Sequence, residues 1–333
     1  MSDATNHAQV IERAFDAIEV TRDGGFWWCG ERADWYPARL LAGLSAAERS
    51  ELTLTALADC LYENFYLRGE VSPLPPATGG GEPAPDPLPR ERLAAANGGK
   101  GSWQPGWQVL DTNVRGWVRA RRDGLTLALP SSELRIDEGA TYVRRPKDMP
   151  ALSPGFHTAS LDVAREAGTT TARLYWHLVA DGAEPFIRVV TDRCNEAGIG
   201  GSLKVVDDRS RFDRCDSGVA YVSLEDLAVH HDVFTAIHSD LATYLAPGTP
   251  AMTLSLTDGL AVAQEPGGGW SFGQHRSRLI ARAILRARDS PSAVRRGAAH
   301  LDDVFADEGI SYEAPYCSAA SHDVFARIAG RWS

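Results

Sequence analysis

The sequence predicts an α+β fold: a mixed, largely antiparallel sheet with flanking helices and an N-terminal helical segment. Three observations lead there. The first seventy residues carry apolar side chains at three and four spacing, and alternation begins only near Trp107. Beyond that point strand-like and helix-like stretches are mixed without the regular alternation of a doubly wound fold.

Taken in order, "HAQVIERAFDAIEV" and "SAAERSELTLTALADCLYENFYLRG" predict helices. Ser45 followed by Glu48 forms a capping box for the second, and Gly69 stops it. Residues 1–71 are thus read as an N-terminal helical segment. Residues 72–90 are dense in proline and glycine, which neither extend a helix nor fill a ladder, and are read as a linker or loop. Residues 91–333 form the α+β region, either alone or as one domain with the N-terminal helices. There "VRGWVRAR" and "LTLALP" flank Asp123-Gly124, the residue types of a two-residue primed hairpin turn. Then come a strand "TARLYWHLV", a helix "EPFIRVVTDRCNEAG", strands "SLKVV" and "GVAYVSL", and a helix "EDLAVHHDVFTAIHSDLATYL". A short strand near "AMTLSL" and helices "SFGQHRSRLIARAILRA" and "SAVRRGAAHLDDVFADEG" complete the order.

With 333 residues, 44% of them hydrophobic, the chain can bury a sizeable core. A formal charge of −10 argues against non-specific binding to nucleic acid or anionic membrane, and it suits a basic partner or leader peptide. No apolar run approaches the roughly 20 residues of a membrane span. The start reads as neither signal peptide nor anchor, so a cytoplasmic location is expected. Cys29, Cys60, Cys194, Cys215 and Cys317 lack C-x-x-C spacing and are expected reduced. His230, His231 and His238 do not form a metal signature, and no metal or cofactor is expected. The glycine clusters at 79–81 and 98–102 lack phosphate-loop spacing. Trp270, Ser271 and Gly273 sit where a helix could start; capping explains Ser271, and an amide anion site is the alternative.

Period two puts Arg173, Tyr175 and His177 on one face of their strand, with Leu174, Trp176 and Leu178 on the other. On periodicity alone, a strand whose second face meets water is the simpler explanation. Lys204 likewise shares a face with Ser202 and Val206, followed by Arg209, Arg211 and Arg214 among four aspartates, and by Tyr221. A solvated, salt-bridged hairpin and an anion pocket floored by a lysine both fit. The second is chemically coherent, because a desolvated lysine among cations can act as a neutral base near pH 7 while bidentate arginines hold a phosphate.

"YENFYLRG", "RLYWHL", "LKV", "FDRCDSGVAYV", "TPAMTLSLTDGLAVAQEP", "SFGQHRSRLIARAIL" and "ISYEAPYCSAAS" together resemble the HopA-type family. That family is named for a type III secretion effector of plant pathogens, and its actinobacterial relatives are encoded beside small kinases in class V lanthipeptide and thioamitide-type clusters. The resemblance implies a phosphoserine/phosphothreonine lyase. A partner Ser/Thr kinase phosphorylates a precursor peptide, and this protein eliminates the phosphate to leave dehydroalanine or dehydrobutyrine. Carried onto this chain, it implies Lys204 as base, Arg173, Arg214 and Arg276 as phosphate ligands, and Tyr175, His177 or Tyr221 as acid. The chain departs from the family pattern in having Met252, Thr253 and Leu254 in place of a phenylalanine, threonine, lysine run, and Gly200 to Leu203 in place of a proline and phenylalanine pair. The alternative is a non-catalytic HopA-like scaffold that binds the leader peptide or the kinase. An effector acting on host phosphoproteins is disfavoured, since the N-terminus lacks a serine-rich, acidic-poor export segment.

Overall fold

The computed structural model describes residues 6–21, 24–33, 36, 42–74, 84–112, 116–150, 152–289 and 297–332. The first helix, His7–Asp16, is capped by the Asn6 side chain, which accepts from the Gln9 amide at 3.2 Å, and it buries Ile11 and Ala14. A small antiparallel sheet follows: β1 (Ile18–Val20), β2 (Phe26–Trp28) and β3 (Glu31–Arg32). The helical expectation for residues 1–71 is therefore interrupted by strands, where the aromatic run of β2 suits a pleated, half-buried surface. Helix Ala46–Leu61 opens on the expected box, the Ser45 amide donating to Glu48 Oε2 at 2.8 Å and the Glu48 amide to Ser45 Oγ at 3.3 Å. It continues into a π-helical turn, Tyr62–Tyr66, and ends at Gly69, whose φ of +81° suits a residue without Cβ.

The glycine run at 79–81 lies outside the described residues. Pro87 bridges Asp208, and the Leu88 amide donates to the Asp207 carbonyl at 2.8 Å. Helix Arg90–Ala96 then leads into six short strands. These are β4 (Ser102–Pro105), β5 (Gln108–Thr112), β6 (Trp117–Arg122), β7 (Leu125–Pro130), β8 (Leu134–Asp137) and β9 (Ala140–Arg145). They form two antiparallel sheets, β5-β6-β7 and β4-β9-β8, around a small core of Trp107, Ala120, Leu129 and Val143. The β6–β7 turn has positive φ at both Asp123 (+49°) and Gly124 (+80°), as a type I′ turn requires. Glu138 (+49°) and Gly139 (+79°) join β8 to β9 by the same logic.

The centre of the molecule is a six-stranded antiparallel sheet, built from β10 (Phe156–Ser160), β11 (Thr171–Trp176), β12 (Gly201–Val206), β13 (Gly218–Ser223), β14 (Leu254–Thr257) and β15 (Leu260–Gln264). Its strand order is β10-β12-β13-β11-β15-β14. One face, including Leu174, Trp176, Leu203 and Val205, is apolar; there Trp176 meets Phe186 of helix Ala183–Glu196 with ring centroids 5.5 Å apart. Helix Leu224–Val229 breaks at His230 before His231–Leu241, where a single helix was expected. On the opposite face the π-turn and helix Phe272–Asp289 close over Tyr175 through Tyr66 and Phe272. Both faces of β11 are thus buried, with Arg173 only 6% exposed, so the face carrying Arg173 and Tyr175 does not meet water. Helices Gly297–Ala306 and His322–Ala329 complete the described chain. The core is continuous from Ile11 to Ile328, so the N-terminal helices share it with the central sheet.

Candidate functional site

Strand register places the functional side chains. Tyr175 pairs with Val219 and Val219 with Lys204, while Arg173 pairs with Tyr221 and Tyr221 with Ser202. Because residues directly opposite across strands share a face, Lys204, Tyr175, Arg173 and Tyr221 stand together on the polar side. Across β10, Lys204 lies opposite Thr158 and Ser202 opposite Ser160.

Lys204 is half-buried and makes no ion pair among the described residues; its Nζ lies 4.0 Å from the Phe156 ring centroid. Arg214 approaches the same ring, Cζ to centroid 5.1 Å. Arg214 also grips Asp216, Nε to Oδ1 at 2.5 Å and Nη2 to Oδ2 at 3.0 Å, and donates from Nη2 to the Tyr62 hydroxyl at 3.1 Å. Burial works against its charge, but Asp216 and Tyr62 more than offset that and hold its pKa above the ordinary value. Tyr62 stacks on Tyr66 at 5.3 Å, the i and i+4 positions of the helical turn bringing the rings together. Tyr66 is fully buried, and desolvation raises its pKa far above the ordinary value.

Burial pushes Tyr175 up to about 12, although neighbouring Arg173 acts in the other direction. Among the described residues its hydroxyl finds no well-aligned hydrogen bond, and neither do the buried hydroxyls of Thr158 and Ser160. Arg173 is clamped by Glu265, to which its Nε and Nη2 both donate, the latter at 2.6 Å; its Cζ lies 5.0 Å from the Tyr221 ring centroid. Helix Phe272–Asp289 contributes Arg276, 2% exposed, which donates to the Pro315 carbonyl at 2.6 Å and meets His275 Nδ1 at 2.7 Å. Arg276, which has no carboxylate partner among the described residues, is lowered by burial to about 10. Burial, reinforced by Arg276, also lowers His275 to about 4, so a neutral imidazole accepts from the guanidinium. Gly273 lets Tyr66 lie against this helix, because a Cβ there would meet the ring at 2.3 Å.

The structure brings Lys204, Tyr175, Tyr221, Arg173 and Arg214 onto or beside one face; Arg276 is linked to it through Phe272, whose ring centroid lies 4.8 Å from Arg276 Cζ and 6.5 Å from that of Tyr175. His177 lies past the end of β11, with Nδ1 2.7 Å from the Pro247 carbonyl. Ser271 caps its helix, accepting from the Gln274 amide at 3.3 Å while Gln274 Oε1 accepts from the Ser271 amide. Met252, in the departing run, is buried with φ +67°, and Thr253 donates to the Pro250 carbonyl at 2.5 Å. Phe156, Thr158, Ser160, Tyr62, Tyr66, Asp216 and Glu265 also belong to the site, and none was assigned a role from the sequence. Alternation in "FHTAS" was a usable signal for the first three. Of the described groups of His, Cys, Asp and Glu, none is arranged to hold a metal ion, and the five cysteines are free thiols.

Fold and face together define an α+β protein whose antiparallel sheet has one apolar side and one side of arginines, phenols and a lysine. The HopA1 effector protein family matches residues 147–317, just over half of the chain, and the protein belongs to that family. The structure of the effector protein from Pseudomonas syringae pv. syringae strain 61 is similar in fold, with 14% identity and a TM-score of 0.50, over 96% of this chain and 100% of that one. The effector protein from Pseudomonas syringae pv. tomato strain DC3000 gives 15% identity and a TM-score of 0.49, over 94% and 96%. No curated protein matches. Among the described residues, no helix is long and apolar enough to cross a membrane.

Proposed function

We propose that this HopA1-family protein is a phosphoserine/phosphothreonine lyase acting on a ribosomally made precursor peptide that a partner kinase has phosphorylated. The observation that carries this is Lys204: an amine with no carboxylate partner among the described residues, on the same face as Tyr175, Tyr221 and Arg173. In the step it performs, the neutral amine takes the Cα proton of the phosphorylated residue. The C–H electron pair becomes the Cα=Cβ bond, the Cβ–O bond breaks, and phosphate leaves with that bond's electrons. The products are dehydroalanine or dehydrobutyrine, inorganic phosphate and a protonated Lys204. No electron transfer occurs, and arginines supply the positive charge that the departing phosphate needs.

Of the three candidate acids, Tyr221 is the one that lines an open cavity. Tyr175 is buried with its proton firmly held, and His177 has one ring nitrogen at the Pro247 carbonyl. A second reading, the non-catalytic scaffold that binds leader peptide or kinase, draws on one observation: Arg173 and Arg214 are already neutralised by Glu265 and Asp216.

Mass spectrometry of a phosphothreonine peptide incubated with wild type and with Lys204→Ala separates the two. Loss of about 98 Da with wild type alone supports the lyase with Lys204 as base. Loss with both proteins moves the base elsewhere. Binding of the peptide without loss from either establishes the scaffold.

A further inference from the structure

A cavity of ≈ 360 Å³ lies between the small β-sheets and the polar face of the central sheet. Its cationic walls are Arg122, Arg145 and Arg165, and Ser202 and Tyr221 line the sheet side. Its two carboxylates are already engaged, Asp123 by Arg122 at 3.1 Å and Glu265 by Arg173. Arg145, half-buried at the end of β9, is different. Its hydrogen bond among the described residues runs from Nε to Met149 Sδ at 3.4 Å, and a thioether is a weak acceptor. Burial and the nearby charge of Arg122 both work against its charged form. Arg165, exposed, also lines the cavity, and among the described residues it donates to neutral oxygens, the carbonyls of Glu166 and Thr169 and the Thr169 hydroxyl. Trp107, 5% exposed, also lines the cavity.

These groups are what an anion needs: two guanidinium groups without a carboxylate among the described residues, in a protein of net charge −10. By contrast, Arg173 and Arg214 are paired with Glu265 and Asp216, and Arg276, which does not line this cavity, donates to the Pro315 carbonyl and meets His275. Ser202, at the cavity wall, and Lys204 are on the same face two residues apart, about 7 Å along the strand and within the span of a lysine side chain.

We propose that this cavity is the subsite for the phosphate monoester of the substrate's phosphoserine or phosphothreonine, with Arg145 and Arg165 as its cations. The identity of the phosphate's carrier rests on the lyase reading above; the anion site does not.

The test is fluorescence anisotropy of the full chain with a labelled peptide carrying a single phosphothreonine, with its unphosphorylated twin, and with inorganic phosphate as competitor. Wild type is expected to prefer the phosphopeptide. Arg145→Gln and Arg165→Gln should each weaken that binding about tenfold or more, as loss of a charge-assisted bond does, without changing affinity for the twin. Arg165 is exposed, so its variant reports on the site whether or not Arg145→Gln folds. Equal affinity for the two peptides, or unchanged affinity in the variants, overturns the proposal. Inorganic phosphate binding as tightly as the peptide overturns the peptide assignment. Elimination assayed in parallel separates the two ideas. Wild-type rates in both variants sink this site and leave the lyase standing; phosphate-dependent binding lost in the variants, with no elimination by wild type, keeps the site and sinks the lyase.

Discussion

Asp216→Asn asks whether Arg214 is committed to its internal partner or free to turn toward a substrate. The two residues, Asp216 and Arg214, are 5% and 7% exposed and joined by a bidentate contact of 2.5 and 3.0 Å. Removing one member of such a pair leaves a buried charge uncompensated, at a cost of about 3–5 kcal/mol. Asparagine retains one acceptor oxygen, and Tyr62 still accepts from Nη2 at 3.1 Å, so the expected loss is at the low end, about 3 kcal/mol. Urea denaturation followed by circular dichroism measures it as a lower midpoint at constant slope. The double variant Arg214→Met, Asp216→Leu, which removes both charges, should be more stable than Asp216→Asn alone, and the cycle should show strong coupling. A single variant within about 1 kcal/mol of wild type, the size of an exposed pair, would refute the reasoning and free Arg214 for the phosphate.

Gly273→Ala should destabilise by about 1–3 kcal/mol through overpacking, since its Cβ would meet the Tyr66 ring at 2.3 Å; thermal unfolding measures this, and near-ultraviolet dichroism should change with the tyrosine stack. His7 is lowered by burial from 6.5 to about 4, so the native state binds fewer protons than the unfolded chain in that interval. Its contribution is complete above pH 6.5 and is lost as pH falls toward 4, amounting to about 3 kcal/mol. His7→Gln should flatten the acid limb of a stability profile; an unchanged limb would assign it to other groups.

What was legible in the sequence was local. The Ser45–Glu48 box and the Asp123-Gly124 turn follow from a few neighbouring residues whose backbone needs are specific. Alternation likewise separated Arg173 and Tyr175 from Leu174 and Trp176, but it ran on to His177, where the strand had ended at Trp176. Burial of the polar face was not legible, because the turn and helix that cover it come from both ends of the chain. The neutralising partners were hidden for the same reason: Glu265 is 92 residues from Arg173, and Asp216 was one of four aspartates near Arg214. Arg145 and Arg165 carried no signal, since an unpaired arginine is defined by what its neighbours in space fail to supply.

The strand order of the central sheet also dictates when it can assemble. β11 sits between β13 and β15, so one of its edges waits for residues made almost ninety positions later. A nascent chain that has reached Ser223 can form β10, β12, β13 and β11, leaving Leu174 and Trp176 beside a row of unpaired amides and carbonyls. Only when Leu260–Gln264 emerges is that edge closed. Fragments ending between Ser223 and Leu260 therefore carry an open, apolar strand edge, and chaperone dependence during synthesis should peak in that interval.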